Sequence, residues 1–361
     1  MKKIAVFILC AFFLSLFNPL AVSAEGKSPA NNLTIQEAVE LALKNSRTLQ
    51  SAEYDIERAE ELRKSASDNV KFTPTGPTTT AASMAFTGLV AADIGWNMKK
   101  RSMTIEEDKI VLNVINTYLD VIIADQNLIH AQKTADKAQH DYWIATLFKG
   151  VGTISDSDII MAQKSCDITK KAVDNAKIDL QRATYNLNNA LGVNSESVWI
   201  LTEEPEYSTF ELIDLDAEIN KVIKQSPAIW LAEQNINMAN LQLDLHSWND
   251  PMSEPYRAKQ IDIVKAELSA AENKEQMRSA VRKIYTAIKQ TEEAIELRKN
   301  ERVIAEEKLR VEQIRYDAGM STLTNVKEAE LNLQTTEKTI KHLEYEHTKL
   351  KLTFEKPWAS M

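Results

Sequence analysis

Cysteine, glycine and proline are all scarce in this chain. Its 361 residues include two cysteines, eight glycines and nine prolines. Cys10 lies in an apolar N-terminal segment, so a mature chain without that segment keeps only Cys166 and can form no internal disulfide. Because glycine and proline are the residues that most often interrupt helices, their scarcity favours long helices stabilised by packing. Cys166 is interpreted as a small packing residue on one of these helices.

The chain also lacks an excess of positive charge and any recognisable catalytic pattern. Its formal net charge is −9, which argues against nucleic acid as a partner. It contains no glycine-rich phosphate loop, no nucleophile elbow and no metal-spaced cysteines. His342 and His347 are five residues apart and do not share a helix face, so each is interpreted as a lone ligand or a surface histidine. We therefore expect no enzymatic activity, no metal and no cofactor.

The N-terminal segment 1–24 has the features of a secretory signal peptide. Lys2 and Lys3 precede an apolar run from Ile4 to Phe17, and the small residues at 22–24 suit a signal peptidase. The mature chain is expected to begin at Glu25. No apolar run of about 18 residues follows, so the sequence predicts an exported protein without a transmembrane helix.

The rest of the chain contains two copies of one unit. Leu43 in the first copy matches Ile223 in the second, and the surrounding segments 33–59 and 213–239 align without a gap. Further along each copy, Tyr118 matches Tyr285. Because the copies are separated by nearly half of the chain, the repeat excludes short-repeat solenoids and indicates a duplicated module whose copies pack quasi-symmetrically.

Long helical hairpins are predicted in each copy. Thr34 with Glu37 forms a capping box that begins a first helix, and this helix pauses at Asn45-Ser46. A helix from Ile105 to Phe148 would reach about 65 Å, too long for a compact core, so it is expected to be a coiled-coil arm. Ser155 or Asp156 can cap a returning arm. The predicted fold class is mainly α, an internally duplicated set of long antiparallel coiled-coil hairpins, with at most a short β segment around 84–94.

The predicted organisation has four parts. They are a signal peptide at 1–24, a first repeat at 25–192 with an insertion at 70–97 and a hairpin tip near 150–155, a linker at 193–212, and a second repeat at 213–361 with a short insertion at 248–257 and a tip near 318–321.

The two hairpin tips carry similar sequences. Phe148 to Gln163 reads FKGVGTISDSDIIMAQ, and Arg315 to Glu330 reads RYDAGMSTLTNVKEAE. Together with the opening segment from Leu33 to Leu43, they resemble the TolC-like outer membrane efflux family over almost the whole mature chain. The resemblance implies a homotrimeric helical tunnel that exports solutes with a periplasmic adaptor protein and an inner-membrane pump. It places the chain in the outer membrane or periplasm, or in another extracytoplasmic envelope if the host lacks an outer membrane.

The resemblance also implies two sets of site residues. The family's hairpin tips meet the adaptor, and the matching positions here are Val151, Gly152, Thr153, Ala318, Gly319 and Met320. The family narrows its tunnel mouth with acidic residues, and the corresponding polar positions are Asp158, Asn325 and Glu328, although asparagine at 325 departs from the pattern. Two alternatives stay open: the glycines could simply end helices, and acidic residues in a first helical turn are favoured by the helix dipole.

The sequence departs from the family before each long arm. Family members carry two β-strands of an outer membrane barrel there in each copy, and two such strands with a turn need about 22 residues. Residues 70–96 could hold them, but 248–257 are too few. We therefore expect reduced or missing barrel strands, with a membrane contact through 84–96. The alternative function is an exported coiled-coil structural or interaction protein of the cell envelope that has lost the barrel and the conduit role.

Overall fold

The structure is a computed structural model that describes residues 31–248 and 254–360. The predicted signal peptide at 1–24 lies outside these residues, as does the middle of the predicted second insertion. The described residues form eight α-helices, two short strands and one 3-10 turn. In chain order these are β1 (Asn31–Leu33), α1 (Ile35–Asn45), α2 (Arg47–Asp68), α3 (Thr80–Gly150), α4 (Asp156–Leu191), β2 (Trp199–Leu201), α5 (Leu215–Gln225), α6 (Pro227–Asp244), α7 (Tyr256–Asp317), α8 (Leu323–Glu355) and the turn Pro357–Ala359.

The four longest helices form two hairpins in one layer. Helix α3 packs against α4, α7 packs against α8, and α3 also packs against α8. The order across the layer is therefore α4, α3, α8, α7, with α4 and α7 at its two edges. The fold class predicted from the sequence, duplicated long helical hairpins, is confirmed.

The local signals for helix starts are confirmed. The Thr34 hydroxyl accepts a hydrogen bond from the Glu37 backbone nitrogen, while the Glu37 carboxylate accepts one from the Thr34 nitrogen. Ser155 and Asp158 form the same reciprocal box at the start of α4. Each box pairs backbone N–H groups that have no partner inside the helix.

Residues 84–94 are helical rather than β, and α3 begins well before the predicted start at 105. The Thr79 hydroxyl caps the helix by accepting from the Ala82 nitrogen. The sequence that follows is rich in alanine, which favours helix. Helix α2 supplies the packing partner, since Arg63 Nε lies 2.5 Å from Asp93 and Lys99 Nζ lies 2.6 Å from Asp55. Pairing with α2 thus overrides the local preference of the threonine and glycine residues.

Two hydrophobic clusters, one centred in each copy, are related by the repeat. Val114 and Val281 occupy equivalent positions in the two copies and are both fully buried, and Leu187 and Phe354 are a second such pair. The first cluster joins α1, α3 and α4 and includes Ala38, Ala42, Val114, Tyr118, Leu187 and Leu191. The second joins α5, α6, α7 and α8 and includes Ile219, Val222, Ile229, Val281, Ile288 and Phe354.

The segment between the copies crosses the layer, and we call residues 199–212 the strap. Strand β2 pairs in parallel with β1, with Leu201 opposite Leu33. The strap then reaches α8, where the Tyr345 hydroxyl donates to Glu204 at 2.9 Å. It ends on α7, where the Phe210 nitrogen donates to Glu292 at 2.5 Å. Because the Glu203 nitrogen also donates to the Tyr118 hydroxyl of α3 at 3.2 Å, the strap ties both hairpins together.

The strap region overturns one expectation about histidine. His347 is 1% exposed, and its Nε2 lies 3.1 Å from a Glu292 carboxylate oxygen, so its interpretation as a surface histidine is wrong. Sequence spacing could not show this, because the carboxylate comes from the other arm of the hairpin. The packing role expected for Cys166 is confirmed, since it is buried on α4 with its Sγ 3.2 Å from Gln139.

The end of the molecule away from the tips contains the segment predicted to contact a membrane. Residues 84–96 lie in the first part of α3, and Lys100 Nζ sits 3.1 Å from the centre of the Trp96 ring. Within 31–248 and 254–360, no helix is long and apolar enough to cross a membrane. The membrane contact stays a prediction.

Candidate functional site: the hairpin tips and the layer edges

Both hairpin tips end their first arm in the same way. At the first tip the Gly152 nitrogen donates to the Lys149 carbonyl at 3.0 Å, and the Thr153 nitrogen donates to the Phe148 carbonyl at 3.0 Å. This pair of bonds is a Schellman motif, which requires a residue in the left-handed region, and Gly152 has φ of 75°.

The second tip repeats this geometry. The Gly319 nitrogen donates to Tyr316 at 2.9 Å, the Met320 nitrogen donates to Arg315 at 2.7 Å, and Gly319 has φ of 72°. The alternative that these glycines end helices is therefore supported. It does not compete with a contact role, because a Cβ at either glycine would meet no atom within 4 Å.

The tips expose large apolar side chains. Val151 is 72% exposed at the first tip, and Met320 is 81% exposed at the second. Further exposed apolar side chains at the first tip are Leu147, Phe148, Ile160 and Met161, and at the second tip Ile314, Tyr316 and Leu323. Several exposed apolar side chains at one end of a molecule are typical of an interaction site. The sequence resemblance pointed to the turns but not to these flanking residues.

A polar network closes the second tip. Ser321 Oγ donates to Glu312 at 2.7 Å, Arg315 donates to the same carboxylate at 3.0 Å, and Asn325 Nδ2 donates to Ser321 at 3.1 Å. The bond from Ser321, followed by that from Arg315, lowers the pKa of Glu312 below its ordinary value. Asn325 is therefore part of the structure that holds the turn.

The structure separates the three residues predicted at a tunnel mouth. Asp158 is used in the cap of α4, and its hydrogen bonds from the Ser155 hydroxyl and backbone nitrogen lower its pKa. Asn325 and Glu328 lie together in a groove between α7 and α8. Glu328 also approaches Lys137 of α3 at 3.7 Å. Within one chain, only Asn325 and Glu328 are brought together.

The two tips point the same way because the α3–α8 seam is antiparallel. Along the seam, residue numbers fall on α3 as they rise on α8. The contacts are Lys137 with Glu328, His130 with Thr335, Gln126 with Tyr345, and Asp120 with Lys349. Residues closer to the first tip contact residues closer to the second. Distances along the arms can thus be counted from a common end.

Each edge helix carries an exposed apolar stripe that no other element of the described chain covers. The α4 stripe is Met161, Ile168, Ile178 and Tyr185, and the α7 stripe is Leu297, Ile304, Val311 and Ile314. Ile168 is 67% exposed and Leu297 is 57% exposed. Spacings of three, seven or ten residues keep each stripe on one helix face, as in a coiled-coil seam.

The stripes lie at matching heights. Helix α4 begins at Asp156 beside the first tip, and α7 ends at Asp317 beside the second. Counted from these ends, Ile178 and Leu297 both lie about 30 Å above the tips at a rise of about 1.5 Å per residue. Helix α4 runs away from the tips while α7 runs towards them. The α4 edge of one copy can therefore pack antiparallel on the α7 edge of another.

No protein-family model matches the chain, and no curated protein does. Solved structures do match. A membrane protein from Pseudomonas aeruginosa is 13% identical, covers 95% of this chain and 99% of its own, and superposes with a TM-score of 0.67. The CmeC outer membrane channel of Campylobacter jejuni is also 13% identical, covers 90% of this chain and 85% of its own, and gives 0.67. The MtrE outer membrane channel of Neisseria gonorrhoeae is 12% identical, covers 90% and 88%, and gives 0.63. At such identity the likeness establishes the fold, which is that of TolC-like outer membrane channels.

Proposed function

We propose that this chain is the subunit of a homotrimeric helical conduit, in which three copies join α4 to α7 around a closed ring. The observation that carries the proposal is the pair of uncovered apolar stripes at matching heights on opposite edges of one layer. A contact between two different edges is heterologous, and it must close into a ring or continue as a filament. The fold shared with outer membrane channels supports closure, and the twelve long helices of three copies would enclose the tunnel.

The tips are the proposed contact for a periplasmic adaptor, with an inner-membrane pump behind it. Val151, Gly152, Thr153, Ala318, Gly319 and Met320 form turns whose backbone is open to solvent, and a partner helix can approach a glycine closely. Around the ring, three copies of Glu328 and Asn325 would line the mouth near the tips, with Asp158 on the neighbouring hairpins. Repeated carboxylates favour cations there. In this role the protein exports solutes across the cell envelope.

Oligomeric mass tests the ring. The chain from Glu25, measured by light scattering with and without detergent, is expected to have the mass of three copies. Ile168→Glu together with Leu297→Glu places charges in both stripes and is expected to give a monomer with unchanged helicity. Leu62→Glu is the matched control, because Leu62 is similarly exposed on α2 but lies outside both stripes. A helical monomer for the unaltered chain would favour the alternative function, an exported coiled-coil structural or interaction protein of the cell envelope.

Adaptor binding tests the tips separately. Val151→Lys and Met320→Lys alter exposed side chains without changing a left-handed glycine, and bulky replacements of Gly152 and Gly319 alter the turn itself. All are expected to abolish capture of a cognate adaptor in a pull-down while helicity stays unchanged. A bulky replacement of Gly76, which lies in the open loop before α3, is the control. Undiminished capture by the tip variants would rule out the tips as the contact.

A further inference from the structure

A groove lies on the layer between the strap and the hairpin tips. It has a volume of about 490 Å³, with α8 as its floor and α3 and α7 as its walls. The strap closes one end, since Lys341 lies 3.7 Å from Glu204 and Lys299 Nζ lies 4.6 Å from the centre of the Tyr207 ring. The volume falls within the range of small-molecule sites.

Basic side chains from all three helices face this groove. They are His130 of α3, Lys299 and Arg302 of α7, and Lys338 and Lys341 of α8. Two carboxylates, Glu337 and Glu344, also line it, and Glu344 is already paired with Lys341 at 3.4 Å. In a chain of net charge −9, this is a local excess of positive charge.

Two of these lysines have no carboxylate partner inside the described chain. Neither Lys299 nor Lys338 forms an ion pair with any carboxylate of residues 31–248 and 254–360. Arg302 Nε is already paired with a Glu306 carboxylate oxygen at 3.2 Å. Burial lowers the pKa of Lys338. Burial, then the charges of Lys338 and Lys133, lower the pKa of His130. An anion bound beside Lys338 would favour the charged form of this lysine.

The groove also offers apolar surface. Ile340 is buried in its floor and Ile129 is partly exposed in its wall. Lysine stems add further methylene groups, since a lysine buries its stem while its ammonium stays polar. A small inorganic anion would leave this surface unused, whereas a ligand with an anionic head and an apolar body would contact both parts.

We propose that the groove binds organic anions that carry an apolar chain, with a carboxylate head between Lys299 and Lys338 and the chain along Ile129 and Ile340. The site is complete within one copy of the protein and does not require the ring. Because the strap forms its end wall through Glu204 and Tyr207, a bound anion would also contact the segment that ties the two hairpins together.

Paired probes of equal chain length and opposite charge test the head-group preference. Decanoate and decyltrimethylammonium are titrated into the chain from Glu25 by calorimetry, both below their micellar concentrations. Decanoate is expected to bind at least about tenfold more tightly, since charge-assisted contacts distinguish the two heads. Equal affinity, or no binding of decanoate, would overturn the proposal.

Variants then locate the site. Lys338→Gln and Lys299→Gln are each expected to weaken decanoate binding roughly tenfold, the loss typical of one charge-assisted hydrogen bond. Lys177→Gln is the control, because Lys177 pairs with Asp174 on the exposed side of α4. Circular dichroism confirms that each variant is folded. If the groove variants bind decanoate as well as the Lys177 variant does, the groove is not the site, whatever the oligomeric state.

Discussion

Nε2 of His347 lies 3.1 Å from a carboxylate oxygen of Glu292, which joins α8 to α7 under the strap. The same oxygen accepts a bond of 2.5 Å from the Phe210 nitrogen, and Lys289 donates to the second oxygen at 2.7 Å. One carboxylate thus connects two arms of a hairpin and the segment between the copies. Because His347 is buried, its protonation state affects the stability of this junction.

Stability is expected to fall as pH drops through the histidine range. Burial lowers the pKa of His347 below its ordinary 6.5, although Glu292 opposes this effect. The unfolded chain therefore binds more protons below about pH 6.5 than the folded chain does, so acid favours unfolding. Burial would raise the pKa of Glu292, but bonds from Lys289, Phe210 and His347 outweigh it and leave the pKa below 4.5. The stabilisation that the Glu292 carboxylate contributes is lost only at still lower pH, where the carboxylate becomes protonated.

The histidine component can be isolated with His347→Gln. Glutamine keeps a donor near Glu292 but does not titrate, so the variant is expected to lose less stability between about pH 7 and 5. Urea denaturation at several pH values measures the slope. His130 and His342, whose pKa values are also lowered first by burial, leave a residual slope in both proteins. Identical slopes would show that His347 contributes nothing.

Tyr118→Phe is expected to destabilise the protein by about 1–2 kcal/mol. The Tyr118 hydroxyl donates to the Leu33 carbonyl at 2.9 Å and accepts from the Glu203 nitrogen at 3.2 Å, and the variant leaves that nitrogen without its acceptor. Thermal or urea unfolding measures the change.

Tyr285→Phe is the matched control for this variant, because Tyr285 is the equivalent residue of the second copy. Its ring packs on Phe210 and Phe354, and no hydrogen bond of its hydroxyl is present in the described part of the chain. The change is expected to stay within about 0.5 kcal/mol. Equal losses for the two variants would mean that the hydroxyl of Tyr118 is not what stabilises the contact between β1 and the strap.

Alanine replacements of the glycines at two left-handed turns are expected to destabilise the protein by different amounts. Gly319→Ala strains the backbone but meets no neighbour, so it should cost about 1–2 kcal/mol. Gly192→Ala has the same strain, with φ of 66°, and its Cβ would lie 2.9 Å from Cβ of Asn45. This clash should add roughly 1–3 kcal/mol. Unfolding in urea compares them, and a smaller loss at 192 than at 319 would contradict the packing described here.

The sequence allowed the repeat, the hairpins and their tips to be predicted because these depend on local signals. Capping at Thr34 and Ser155, and glycine at 152 and 319, act within a few residues of chain. The helical state of 84–94 depended instead on contacts of Asp93 and Lys99 with α2, which periodicity does not reveal.

The strap and the groove could not be predicted for the same reason. Glu292 and His347 lie 55 residues apart in sequence, and Lys299 and Lys338 lie on different arms. The edge stripes did leave a signal. Leu297, Ile304 and Val311 recur at seven-residue spacing, but the spacing alone does not distinguish a stripe buried within the chain from one covered by another copy.

Cross-linking between the two edges tests the ring most directly. Ile178→Cys and Leu297→Cys are combined with Cys166→Ala, and a bismaleimide spanning about 10 Å is added, a reach close to the roughly 8–10 Å separation of packed helices. The edges of one chain lie on opposite sides of its layer, so links form between chains. A closed ring of three copies predicts covalent species of up to three chains and none larger, with no such series for either cysteine alone. Monomers only, or a ladder that continues past three chains, would contradict it.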